Sequence, residues 1–72
     1  MTQWPSTKAA KVYRALLKRG WYVANEGSGS HRQMRHPDFE GSYTWAFHDR
    51  DEIGPAMLSR IAKRTGLTPA DL

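Results

Sequence analysis

Cysteine is absent from the 72 residues, which removes a disulfide framework, a thiolate metal site and a Cys–His nucleophile at once. No apolar run approaches the length needed to cross a bilayer. The stretch from Met1 to Thr7 is too short and polar for a secretory leader, so the cytoplasm is the expected compartment. No Gly-x-Gly-x-x-Gly follows a predicted strand and no P-loop is present; Gly27-Ser28-Gly29 reads as a flexible turn. A chain this short buries only about 60% of its unfolded surface. It therefore has little room for the buried acid and oxyanion hole of Ser–His–Asp catalysis. One domain over residues 1–72 is expected, better suited to a long ligand lying across its surface than to a small one in a deep pocket.

Acidic residues are scarce in one half of the chain. Residues 1–36 contain Glu26 alone against Lys8, Lys11, Arg14, Lys18, Arg19, Arg32 and Arg35, a net +6, whereas residues 37–72 carry six acids against four cations, a net −2. The sum is the formal charge of +4. A basic half points to a polyanionic partner, and the alternative is a merely solubilising surface charge.

The periodicity reads as helix, three strands, helix. The first helix is expected from Thr7 or Lys8 to Arg19, capped by Ser6 or Thr7 and ended by Gly20. Ala9, Val12, Tyr13, Leu16 and Leu17 form its inner stripe, and Lys11, Arg14 and Lys18 share another face. Strands follow at Trp21–Asn25, about Ser30–His36, and Ser42–His48, with a turn at Asp38-Phe39-Glu40-Gly41. The charged stretch His48–Glu52 reads as a loop. A second helix runs from Pro55 to about Thr65, stopped by Gly66, with Met57, Leu58, Ile61, Ala62 and Thr65 inward. Thr68 can cap one last turn. The order α-β-β-β-α makes an α+β fold, a three-stranded antiparallel sheet with both helices on one face.

If the turn holds at Asp38–Gly41, Met34 faces Trp45 and His36 faces Tyr43 on the covered side. The open side then receives His31 opposite His48, Gln33 opposite Ala46 and Arg35 opposite Thr44. Histidine is the side chain tuned near neutral pH by default. His31 follows Gly29 and Ser30, so a ligand can approach closely, and its expected neighbours are Gln33, Arg35 and His48. One or two imidazoles with arginines supply the base, acid and phosphate ligands that metal-free RNA cleavage needs. The bland alternative is a surface histidine with no task. His36 reads as structural. A metal site of His31, His48 and Asp49 fits too many surfaces by chance to be preferred, and no cofactor is expected. Trp21, Trp45 and Phe47 read as core, while Trp4 and Phe39 are left free to meet a partner.

Gly29-Ser30-His31, then Met34, then His36-Pro37 resembles the Gly-Ser-His…aromatic…His-Pro signature of the HicA toxins. Thr44-Trp45-Ala46-Phe47-His48 resembles that family's Thr-Val-Pro-x-His strand. Glu52-Ile53, Pro55, Leu58, Ile61 and Gly66-Leu67 resemble its closing helix, and Leu16-Leu17 with Gly20-Trp21 its opening helix and first strand. The likeness covers roughly residues 10 to 67. It implies a double-stranded-RNA-binding-like fold, an mRNA interferase with one catalytic histidine at His31, and a cognate HicB-type antitoxin that covers the active face. Three positions depart from the pattern: Ser28 replaces a basic residue, Met34 an aromatic and Ala46 a proline. Arg32 and Arg35 stand in for the missing cation.

The residues and the resemblance together give an endoribonuclease toxin acting on mRNA, with His31 catalytic and His48 as possible assistant. Ser30, Lys11, Arg14, Lys18, Arg32 and Arg35 are its candidate RNA contacts. The alternatives are a non-catalytic double-stranded-RNA-binding-like module, and a domain whose basic face serves an acidic protein.

Overall fold

The structure is a computed structural model and describes residues 4–27 and 31–72. The elements are β1 (Thr7–Lys8), α1 (Ala9–Lys18), β2 (Tyr22–Glu26), β3 (Arg32–His36), β4 (Phe39–Trp45), β5 (Glu52–Ile53), α2 (Pro55–Thr65) and a closing 3-10 turn, Pro69–Asp71. Strands β2, β3 and β4 form an antiparallel sheet in that order, with β3 central. Both helices cover one of its faces, the α+β arrangement expected. The β1–β5 ribbon is an addition: two residues on each strand are too few to show alternation in a sequence.

That ribbon explains how α1 begins. Lys8 occupies the N-cap without a side-chain cap, and the Thr7 hydroxyl instead donates to the Pro5 carbonyl at 2.8 Å. The first amides of the helix find partners across the chain: Ala9 N–H donates to the Asp51 carbonyl at 2.7 Å and Ala10 N–H to that of Asp49 at 3.3 Å. The charged loop thus supplies the acceptors that the expected Ser6 or Thr7 cap does not. Along α1, Ala9, Val12, Ala15 and Leu16 are buried, while Leu17, expected inside, is exposed. The helix is rolled toward its Ala15 side, where the small side chain admits close approach to the sheet. On α2, Leu58, Ile61 and Thr65 are inside, but Met57 is exposed. Pro55 opens this helix, and Gly66, at φ +79°, closes it in the left-handed conformation.

The core gathers Leu16, Trp21, Met34, Trp45, Ile53, Leu58 and Ile61. Trp4 belongs to it as well, contrary to expectation. The Trp21 indole N–H donates to the Thr65 carbonyl at 3.1 Å, so this ring joins α2 to the sheet by both packing and a buried hydrogen bond. Phe39 keeps an exposed edge but packs 5.1 Å from the Trp21 ring.

The hairpin differs from the sequence reading by two residues. Its turn is Pro37-Asp38, with His36 paired to Phe39. The cause is local: Asp38 N–H donates to His36 Nδ1 at 3.0 Å, and Pro37 fixes the first turn position. The slack appears in β4, where Gly41 takes φ +75° and the pairing shifts between Met34 and His36. Above the shift Met34 faces Tyr43, Gln33 faces Thr44 and Arg32 faces Trp45. The expected pairs Met34–Trp45, His36–Tyr43, Gln33–Ala46, Arg35–Thr44 and His31–His48 are therefore corrected. A slip of two preserves parity, so Met34, Tyr43 and Trp45 still face the helices while Gln33, Arg35 and Thr44 face outward.

His36 is a clamp. With Nδ1 accepting from Asp38, its Nε2 donates to the Arg19 carbonyl at 2.8 Å, and its ring packs on Trp21 and Phe39. Gly20, at φ +105°, makes room: a Cβ there would lie 2.9 Å from His36 Nε2.

The C-terminus is tied to α1 by Arg19 and Asp71, whose Nη1 and Oδ2 are 3.0 Å apart. Burial raises the Asp71 carboxyl, but the Thr68 N–H and hydroxyl and the Arg19 guanidinium more than offset it, leaving the acid below its ordinary range. A carboxyl held low when folded adds stability that is complete above its unfolded pKa of about 3.9 and is lost as pH falls through the folded value. Wild-type Tm is therefore expected to fall below about pH 4. Asp71→Asn should start from a lower Tm at pH 7 and lose less on acidification. A pH series of thermal melts checks both.

Candidate functional site

His31 is exposed and immediately precedes β3. Its carbonyl accepts the Gly27 N–H at 2.9 Å, closing the connection between β2 and β3. The two backbones are close enough that a Cβ on Gly27 would sit 3.1 Å from that carbonyl oxygen. Gly27→Ala is expected to weaken this hydrogen bond, and faster hydrogen exchange at the amide of position 27 would report it. Ser30, with Ser28 and Gly29, lies outside the described residues.

The side chains following His31 divide between two faces. Arg32 turns to the helix side, its guanidinium carbon 5.3 Å from the centre of the Tyr13 ring and Nε 4.0 Å from Glu26 Oε1. Gln33 turns outward. Its Oε1 accepts from the Ser42 hydroxyl at 2.9 Å and the Thr44 hydroxyl at 3.2 Å, a polar ladder linking β3 to β4. Arg35 is also outward and exposed, opposite Tyr22 on β2. Among the described residues it makes no ion pair. His31 and Arg35 are about 13 Å apart along the chain, four residues at the extended-strand rise. The two side chains therefore do not converge on one point.

The other predicted residues sit elsewhere. Lys11, Arg14 and Lys18 are exposed on the side of α1 turned away from the sheet, so the fold does not bring them to the face that Gln33 and Arg35 occupy. His48 lies beyond the end of β4 in the loop before β5. Its backbone N–H donates to Asp51 Oδ2 at 2.8 Å, and its carbonyl accepts the Asp51 N–H at 2.9 Å. It shares its loop with Asp49, Arg50, Asp51 and Glu52, whereas the guanidinium next to His31 in the chain, that of Arg32, lies over Tyr13 on the helix side. The third histidine, His36, has both ring nitrogens committed to the clamp. Among the described residues no group of His, Asp and Glu is arranged to hold a metal.

Two features escaped the sequence reading. Tyr22 is 49% exposed on the open face. The signal was available, since Trp21 and Val23 inside force the residue between them outward. Gly27 is the other, and only the coordinates bring it against His31. Tyr43, by contrast, is half-buried on the covered face. Burial pushes its phenol above the ordinary value, and the nearby Arg64 guanidinium only partly counters this. An apolar groove lined by Trp4, Ala62, Leu67 and Pro69 contains none of the candidate residues. No helix among the described residues is long and apolar enough to cross a membrane.

The family model described as HicA toxin of bacterial toxin–antitoxin matches residues 9–67, from the start of α1 to just past α2. Comparison with curated proteins and with solved structures returned no match.

Proposed function

The chain belongs to the HicA toxin family of bacterial toxin–antitoxin systems, and we propose that it acts as an endoribonuclease on messenger RNA, with His31 as general base or acid at the scissile phosphate. Such a step removes the proton of a 2′-hydroxyl as its oxygen attacks phosphorus. The bond to the 5′-oxygen breaks, and that oxygen takes a proton as it leaves. The products are a 2′,3′-cyclic phosphate and a 5′-hydroxyl end, with no metal required. The observation that carries the reading is the contrast among the histidines. His31 is exposed, His36 is clamped through both ring nitrogens, and His48 lies in the loop that carries Asp49, Asp51 and Glu52.

In this reading Arg35 binds a phosphate further along the strand from the scissile one. Arg32, whose side chain is 33% exposed, exchanges Glu26 for RNA. Lys11, Arg14 and Lys18 attract the polyanion at longer range, and Ser30 lies next to the reacting group in the chain. His48, no longer across from His31, is left at most an auxiliary part. A HicB-type antitoxin inhibits by covering the open sheet face, and the pair works in the cytoplasm.

The test is expression without antitoxin. Wild type is expected to arrest growth and His31→Ala is not, and cleavage by the purified wild type should be unchanged by EDTA. Growth arrest by the alanine variant would overturn the assignment.

A second reading, a non-catalytic double-stranded-RNA-binding-like module, is favoured by one feature: the three cations of α1 lie on the face turned away from His31. It predicts steeply salt-dependent RNA binding with no new fragments.

A further inference from the structure

We propose that Tyr22 and Arg35 form a subsite for one unpaired nucleotide on the open face of the sheet, about 13 Å along the strand from His31. The inference deepens the ribonuclease reading by assigning residues that position a single-stranded substrate. The two residues are direct cross-strand partners of β2 and β3. Tyr22 is the largest aromatic surface left in water, 49% exposed, although nothing in the core needs it there. Among the described residues the guanidinium groups that lie over rings are Arg32 on Tyr13 and Arg64 on Tyr43, and none lies over Tyr22. Arg35 has no carboxylate partner among the described residues. An open π-face beside an uncommitted cation is the pairing that single-stranded nucleic acid uses, the base stacking and the phosphate meeting the charge.

The rest of the face suits a polar, extended ligand. From Arg35 toward His31 it carries Gln33, Thr44 and Ser42, joined by their own hydrogen bonds, a polar floor beside the Tyr22 ring. Glu26, across from Arg32 on β2, lies 4.0 Å from its Nε. A duplex keeps its bases stacked on one another and offers none to a ring, so the subsite discriminates for single strands.

The experiment uses the full chain carrying His31→Ala, so that labelled RNA survives, and measures binding of a single-stranded 12-mer and of its duplex by fluorescence anisotropy. Adding Tyr22→Ala is expected to weaken single-strand binding about 5- to 100-fold and duplex binding hardly at all, with Tyr22→Phe restoring it. Adding Arg35→Ala should lower the slope of log K against log salt by about 0.7, one phosphate contact on a single strand. Unchanged single-strand affinity in the Tyr22→Ala protein, or an equal loss on the duplex, would overturn the subsite. If Tyr22→Ala weakens single-strand binding while wild type leaves transcripts intact, the subsite stands and the ribonuclease reading falls.

Discussion

Trp45→Ala is expected to lower Tm by roughly 12–40 °C. The indole is 1% exposed and packs against Tyr13 of α1 at 5.7 Å and Phe47 at 5.1 Å between ring centres. It therefore joins the sheet, the first helix and the segment after β4 that leads into the acidic loop. Truncating a buried tryptophan to alanine costs about 3–5 kcal/mol. A domain of this length has a total stability of only about 4–11 kcal/mol, so the loss takes a large share of what there is. A thermal melt followed by circular dichroism checks it; a Tm within a few degrees of wild type would show that Trp45 is not the bridge described here.

His31→Ala should do the opposite, sparing the fold while removing the chemistry. The side chain is exposed and outside the core, and the hydrogen bond from Gly27 N–H uses the His31 carbonyl, which alanine keeps. Loss of a positioned acid or base lowers a rate by about 10²- to 10⁴-fold, so RNA cleavage is expected to fall by that factor with Tm and RNA affinity near those of wild type. A comparable drop in affinity would mean that the imidazole binds rather than reacts.

Much of the fold is legible in the residues because its signals are periodic and local. The stripe around Val12 and Leu16, Pro55 at the start of α2, and Gly20 and Gly66 at the helix ends each name an element without tertiary help. So does the alternation that puts Met34 and Trp45 on one face and Gln33 and Thr44 on the other. What fails is governed by contacts distant in sequence. The amides that open α1 are capped by Asp49 and Asp51, about forty residues away, and no reading of Ser6 and Thr7 reveals that. Trp4 looks free because its partners lie at the other end of the chain.

The hairpin shows the limit most clearly. Asp38 and Gly41 have the spacing of a type I turn, yet a ring nitrogen of His36 captures the Asp38 amide and tightens the turn to Pro37-Asp38. Because side chains alternate with period two, the resulting slip changes every partner and no face. The candidate site inherits both consequences. Gln33 and Arg35 stay on the open side as expected, while the pairing of His31 with His48 dissolves. Arg32 turns toward Tyr13 because odd and even positions of β3 cannot share a face, which the sequence states plainly once the strand is fixed. The Gly-Ser-His resemblance marks residue 31 as the position of interest, but only the hydrogen bonds and acidic neighbours of the other two histidines separate it from them.

Purified wild type, His31→Ala and His48→Ala incubated with one end-labelled transcript, in buffer with EDTA, give the most direct measurement. Wild type and His48→Ala are expected to yield the same fragments at similar rates, and His31→Ala none above background. Fragments from the His31→Ala protein at the wild-type rate, or activity that disappears only with His48→Ala, would contradict the assignment of the reaction to His31.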